Sequence, residues 1–332
     1  MELLLWALVF TASLVLIVKG ADWFLESAEK IGLAVGLSSF VVGVVLVGLG
    51  TSLPELTSSL AAVLQGASEL VAANVVGSNI ANILLIIGIS AVVGGKLAVS
   101  KNLVDLDIPL LTIGTTFGVV VMFDGIVTAT EAVFLLLAFV IFLTHSIRNG
   151  NEADDKNEVV RELFASGTQS AGENGDKREK ADIKLTVRDF LWLAIGLGAL
   201  VLGGRYLFQS VLHISEILMI GVGVISLVAV AVGTSLPELA VSVRATLKGK
   251  YEVALGNIFG SNAFNILFVL GLPALFMPLV VDPLTLSIGI PTMVVATIFF
   301  VFSGLSRRIH SYEGALYLLI YAFFIGKLFG LL

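Results

Sequence analysis

Long apolar runs recur along nearly the whole chain, at about 3–18, 35–64, 70–93, 108–123, 129–147, 190–208, 218–247, 253–281, 284–302 and 314–331. A helix needs about 20 mostly apolar residues to cross the hydrocarbon core of a bilayer. The pattern therefore predicts about ten transmembrane helices, with ends good to about two to four residues. Between 148 and 187 it breaks: NEADDKNEVVRELF and GENGDKREKADIK carry mixed charge and few apolar positions. This reads as a solvated linker, partly disordered, with room for a short helix. It is too short for a regulatory domain of its own, because domains below about 40 residues rarely bury enough surface. The chain thus divides into a first unit at 1–147, the linker at 148–187 and a second unit at 188–332.

Composition agrees with lipid as the main solvent. Of 332 residues 57% are hydrophobic and only 13% charged, and the mean hydropathy is +1.03. The fold class expected is an all-α membrane protein. The net charge of -6 is partly concentrated in the linker, and it argues against nucleic acid as a partner. No cysteine is present, which removes disulfides, thiolate metal sites and cysteine nucleophiles together. The first apolar run follows Glu2 rather than a basic stretch and has no convincing cleavage site after it, so it reads as a retained span.

Orientation follows from the basic residues. With the amino terminus outside, 17 of the 19 Lys and Arg fall on the cytoplasmic side and only Arg205 and Lys327 lie opposite. Without the eight basic residues from Arg148 through Arg188 the division is still 9 against 2. The positive-inside rule then puts both termini outside and the loop after the fifth span in the cytoplasm, in a cell (plasma) membrane.

The chain also repeats itself. GTSLPEL stands at 50–56 and again at 233–239, and NVVGSNIAN at 74–82 matches NIFGSNAFN at 257–265, both at an offset of 183. Gly88 and Gly271 keep the same register. Two blocks sharing one offset indicate duplication. Each unit holds five apolar runs, an odd number, so equivalent helices must run in opposite directions through the bilayer. The turn at 65–69 lacks Lys and Arg whereas its counterpart carries Lys248 and Lys250, as inversion requires. Inverted repeats with helices broken at the midplane are characteristic of alternating-access transporters.

The repeated blocks carry the candidate chemistry. Pro54 and Pro237 lie inside apolar helices and cannot donate to the carbonyls of Gly50 and Gly233, so each helix should break or kink and free carbonyl oxygens for a cation. On a helical path Thr51 and Ser52 share a face with Glu55, and Thr234 and Ser235 with Glu238. A carboxylate at the bilayer centre costs at least about 2.5 to 3.5 kcal/mol unless compensated, and defaults to function. Polar stripes follow at helical spacing: Asn74, Ser78 and Asn82, then Asn257, Ser261 and Asn265. Brought together, these groups offer only oxygen ligands, which suits calcium or sodium rather than zinc or copper. Two ionised glutamates balance one calcium ion, whereas three sodium ions leave the loaded site at one positive charge and two leave it neutral, and the sequence does not choose between those sodium counts.

Plainer readings stand beside these. The small glycines and serines also serve helix packing, and a buried glutamate can be held in a structural interhelical bond. Asn79 and Asn262 sit one position off the stripes and read as structural. Asp105, Asp107, Asp124, Glu131 and Asp282 lie at span ends, where they are solvated or cap helices. His145, His213 and His310 are scattered, which disfavours a histidine metal site.

GTSLPE paired with GSNxxN in both units resembles the alpha repeats of the cation/calcium exchanger superfamily, and within it a prokaryotic sodium/calcium exchanger. The likeness covers the chain in layout, ten spans with a loop after the fifth. It implies that Glu55 and Glu238 coordinate calcium together with the carbonyls of Thr51 and Thr234. It implies sodium sites drawing on Thr51, Ser52, Ser78, Thr234, Ser235 and Ser261, with carbonyls near Gly48 and Ala231, and Asn82 and Asn265 lining the centre. Some prokaryotic members and the potassium-dependent branch carry aspartate where Asn265 stands, which favours potassium independence here. The loop also lacks the large calcium-sensing domains of animal exchangers.

The resulting expectation is a secondary antiporter exchanging sodium for calcium, electrogenic, with no cofactor, no enzymatic activity and no protein partner implied. A calcium/proton antiporter is the alternative, although proton-coupled relatives carry a GNxxE pattern. A cation channel stands further off, and two glutamates without a nucleophile make a poor catalytic set.

Overall fold

The chain is helical almost throughout in a computed structural model that describes residues 2–98, 108–166, 185–217, 235–328 and 330–332, as backbone alone at 149–166, 212, 215 and 216. Helix α1 (Glu2–Ala34) is much longer than its apolar run. Beyond Lys19 the helix continues because its polar residues find partners: Asp22, Glu26, Glu29 and Lys30 all form ion pairs. The next run forms two helices end to end. The first, α2, comprises Ser39–Val41, a π-helical stretch Val42–Gly48 and Leu49–Thr51. The second is α3 (Leu53–Leu64), with Pro54 in its first turn.

Helix α4 (Glu69–Ile80) continues through π-helical Ala81–Ile87 into Gly88–Gly94. Strand β1 (Lys96–Ala98), helix α5 (Ile108–Met122) and strand β2 (Ile126–Val127) follow. Helix α6 (Ala129–Ser166) runs beyond the fifth apolar stretch into the charged segment expected to be linker. The sequence supports that extension, since Glu152 precedes Lys156 by four and Glu158 precedes Arg161 by three, spacings that stabilise helix.

The second unit holds α7 (Val187–Ile217), α8 (Leu236–Leu247) and α9 (Tyr251–Phe264, then π-helical Asn265–Val269 and Gly271–Ala274). Strand β3 (Leu279–Val280), α10 (π-helical Thr285–Gly289, then Ile290–Leu305), β4 (Arg308–His310) and α11 (Ser311–Leu328) complete it. Among the described residues, seven segments are long and apolar enough to cross a membrane. Of the other expected spans, α5 has 15 residues, α8 follows residues outside the described set, and α11 carries Glu313 and Lys327 near its ends.

The sequence offset reappears in the backbone. Adding 183 to the bounds of α3 gives those of α8. The residue before each helix has nearly the same conformation, φ -88° and ψ 7° at Ser52, φ -91° and ψ 14° at Ser235. Two antiparallel ribbons, β1 with β4 and β2 with β3, each join the first unit to the second. The offset carries β1 onto β3 and β2 onto β4, so it exchanges the two ribbons.

Burial places α4 and α9 at the centre: their apolar windows are 78% and 94% buried, against 17% for α1. Glycines let α9 cross α2 backbone to backbone. A Cβ at Gly260 would lie 2.2 Å from the Val44 carbonyl oxygen, and one at Gly256 2.5 Å from that of Phe40. Helices α1 and α7 form a close antiparallel pair, in which a Cβ at Gly196 would lie 2.5 Å from the Phe24 nitrogen. That pair has an apolar cluster apart from the central one, built on Ile17, Phe24 and Leu200 and reaching Val47 on α2 and Val241 on α8.

Candidate functional site

Each conspicuous glutamate stands in the first turn of a helix, Glu55 in α3, which follows the end of α2 at Thr51, and Glu238 in α8. Proline produces this arrangement: lacking an N–H, it cannot continue the preceding helix, yet it suits the first turn of a new one. The positive end of the helix dipole then faces a carboxylate, which favours negative charge there. Both side chains are buried at 1% exposure, and Glu238 lies within coulombic reach of Glu55.

The two units interlock around these carboxylates. The Ser52 hydroxyl donates to Oε1 of Glu238 at 3.0 Å, and the Thr51 hydroxyl lies 3.1 Å from Oδ1 of Asn257, to which it donates. From α9 the Ser261 hydroxyl donates to the Gly48 carbonyl at 3.1 Å. That carbonyl also accepts from the Ser52 backbone N–H, so a cation reaching it competes with an existing donor. Ser78 is buried on α4 and Ser235 at the head of α8. Thr234 and Ala231 lie outside the described residues.

Asparagines hold the frame. The Asn257 amide donates to the Glu238 carbonyl at 3.2 Å and to the Ser242 hydroxyl at 2.8 Å. Its counterpart Asn74 donates to the Glu55 carbonyl at 3.5 Å and to the Ser59 hydroxyl at 3.3 Å. Each brace fixes the first turn of the helix that bears a glutamate. Asn82 and Asn265, at the π-helical stretches of α4 and α9, donate across to Asn262 and Asn79 respectively.

The electron-rich atoms left over define what the site can bind. Among the described residues, Oε2 of Glu55, Oε2 of Glu238, Oδ1 of Asn82, Oδ1 of Asn265 and Oγ of Ser235 are buried without a hydrogen-bond partner. A buried oxygen without a donor is costly, and five of them on one set of residues suit a cation that has shed its water. All are hard oxygen donors of the kind that calcium and sodium prefer. Among the described residues no three His, Asp or Glu side chains gather as a metal group, at this site or elsewhere.

The structure unites Thr51, Ser52, Glu238, Ser261 and Gly48 in one hydrogen-bonded assembly through Asn257, while Glu55 is braced by Asn74 and Asn82 and Asn265 bond to Asn262 and Asn79. Asn79 and Asn262, read as structural, share the offset of 183 and accept through Oδ1 from Asn265 and Asn82. The end-of-span acids behave as expected where described: Asp124, Glu131 and Asp282 accept backbone N–H groups of Ile126, Thr128 and Leu284. Asp105 and Asp107 lie outside the described residues. His213 stacks on Trp6 and His310 on Tyr312, in neither case near the glutamates.

A family model described as sodium/calcium exchanger protein matches residues 5–148 and 189–329. Sodium/calcium exchanger MaX1 of Methanosarcina acetivorans is 34% identical over 97% of this chain and 98% of its own length. Inner membrane protein YrbG of Escherichia coli is 33% identical over 86% of this chain and 85% of its own. Among solved structures, the sodium-calcium exchanger NCX_Mj soaked without sodium or calcium superposes with a TM-score of 0.78 at 29% identity, covering 98% of this chain and 99% of that one.

Proposed function

Because the chain belongs to the sodium/calcium exchanger protein family, we propose that it exchanges sodium for calcium across the membrane by alternating access, with Glu55 and Glu238 as the charged ligands of the cation. The observation that carries the assignment is the set of buried oxygens without donors at Glu55, Glu238, Asn82, Asn265 and Ser235. The chain is a multi-pass membrane protein, a transporter and not an enzyme.

Charge sets the exchange. Two carboxylates balance one calcium ion, so calcium leaves the site neutral, and sodium entering instead must use the same carboxylates together with the surrounding hydroxyl and carbonyl oxygens. In this reading Thr51, Ser52, Ser78, Thr234, Ser235 and Ser261, with the carbonyls at Gly48 and Ala231, form the sodium positions around a central calcium site. Competition for one pair of negative charges is what couples the two fluxes. Exchange of three sodium ions for one calcium is electrogenic.

The common offset of α3 and α8, and of the two ribbons, supports two inverted repeats of five helices, at 1–147 and 188–332, joined by the segment at 148–187. The close glycine-mediated packing of α1 on α7 at Gly20, Gly196 and Gly203 supports their moving as a pair against the helices that carry the ligands. The distribution of Lys and Arg supports a plasma-membrane orientation with both termini outside and the 148–187 segment in the cytoplasm.

Calcium uptake into vesicles containing the purified chain tests the function. An outward sodium gradient is expected to drive uptake. Uptake driven by a pH gradient without sodium overturns the sodium coupling in favour of proton exchange, and unitary currents without a counter-ion requirement overturn antiport.

A further inference from the structure

Two asparagines outside the proposed ligand set stand at equivalent positions, Asn79 on α4 and Asn262 on α9, each 1% exposed. Their contacts are crossed. Asn82 of the first unit donates through Nδ2 to Oδ1 of Asn262 at 2.9 Å, and Asn265 of the second donates through Nδ2 to Oδ1 of Asn79 at 3.4 Å. Both donors keep a buried Oδ1 without a partner.

A terminal amide has an oxygen end and a nitrogen end of nearly the same shape, and only the oxygen end can face a cation. Something must choose the end. If Asn82 turned over while Asn262 kept its place, its oxygen would meet the oxygen of Asn262 at hydrogen-bond distance with no proton between them; Asn262, whose Nδ2 is buried without a partner, would have to turn with it. The same clash of oxygens holds for Asn265 against Asn79. Asn79 is itself pinned, since its Nδ2 donates to the Asn262 carbonyl at 3.5 Å and lies 3.9 Å from the Met293 sulfur on α10, which leaves only Oδ1 to accept.

We infer that Asn79 and Asn262 are positioning residues, each locking the ligand asparagine of the opposite repeat so that its carbonyl oxygen faces the transported cation. The inference rests on the reading of Asn82 and Asn265 as ligands. It also makes each half of the site depend on the other, because the acceptor that orients a ligand sits on the other repeat.

Double-substitution cycles in sodium-driven calcium uptake by the full chain test it. Asn262→Leu should raise the calcium KM about fivefold to tenfold, the scale of one buried hydrogen bond, with little change in maximal rate. In an Asn82→Ala background that increase should vanish, because no amide remains to orient, whereas in an Asn265→Ala background it should persist. Asn79→Leu should show the converse dependence, on Asn265 and not on Asn82. Fold-changes that simply multiply in the crossed backgrounds overturn the inference. So does failure of both Asn262→Leu and Asn79→Leu to yield monodisperse protein, which makes the pair a structural prop. If Asn82→Ala and Asn265→Ala leave the calcium KM untouched, the ligand assignment itself is what fails.

Discussion

The hydroxyl of Ser52 donates to the carboxylate of Glu238 at 3.0 Å, although the two residues stand 186 positions apart, one just before α3 and the other in α8. Ser52 precedes Glu55 by three, so the turn that presents one carboxylate also solvates the other. Hydrogen bonds to charged groups contribute about 1.5 to 3 kcal/mol. Ser52→Ala is therefore expected to raise the KM for the driving ion about tenfold or more. Sodium-dependent calcium uptake at graded sodium concentrations checks this, and an unchanged KM would show that the contact is incidental.

Neutralising either carboxylate should have a larger effect. Glu55→Gln or Glu238→Gln keeps the side chain's shape and leaves one negative charge against a divalent ion in a buried site. Calcium uptake is expected to fall to background while the protein elutes as the wild type on size exclusion. Wild-type flux in either variant would refute the site.

Much of this was legible beforehand because the decisive residues are duplicated. GTSLPE and GSNxxN announce the break, the glutamate and the polar stripe at one offset, and the helix bounds at Leu53–Leu64 and Leu236–Leu247 keep that offset to the residue. Hydropathy served less well where polar residues are paired rather than solvated. Lys19 marks the end of the first apolar run, yet α1 continues to Ala34 because its acids meet Arg244, Lys248 and Lys250 from α8 and the turn after it. The π-helical stretches and the crossed asparagine contacts were also beyond the pattern, since both depend on which helices meet at the centre. Asn79 and Asn262 look like packing residues on their own helices, and their bonds to Asn265 and Asn82 show only when those helices are placed together.

Close packing of α9 on α2 sets a steric limit. A Cβ at Gly260 would lie 2.2 Å from a backbone oxygen of Val44, which cannot rotate aside as a side chain can. Overpacking of this kind costs about 1 to 3 kcal/mol. Gly260→Ala should lower the thermal midpoint measured by fluorescence in detergent, whereas Gly198→Ala on α7, where no described atom lies within 4 Å, should not. Equal stability of the two variants would contradict the backbone contact.

The polar end of α1 supplies the last expectation. Arg244 grips Asp22 through Nε and Nη2, with contacts of 3.0 and 2.6 Å, while Lys248 reaches both Asp22 and Glu26 and Lys250 pairs with Glu29. Partial burial disfavours the charge on Lys248, but its bonds to Glu26 and Asp22 outweigh that and hold its pKa above the ordinary value of 10.5. A raised pKa means that the folded state holds the proton more tightly than the unfolded one. The stabilisation is complete below the ordinary lysine range and is lost as pH rises through the folded value. Thermal stability should thus decline above about pH 10, and Lys248→Met should flatten that part of the profile. Arg244→Ala should cost about 1 kcal/mol at neutral pH, and less in high salt, because the pair is only partly shielded from solvent. A pH profile in Lys248→Met that matches the wild type would show that these ion pairs do not hold α1 to α8.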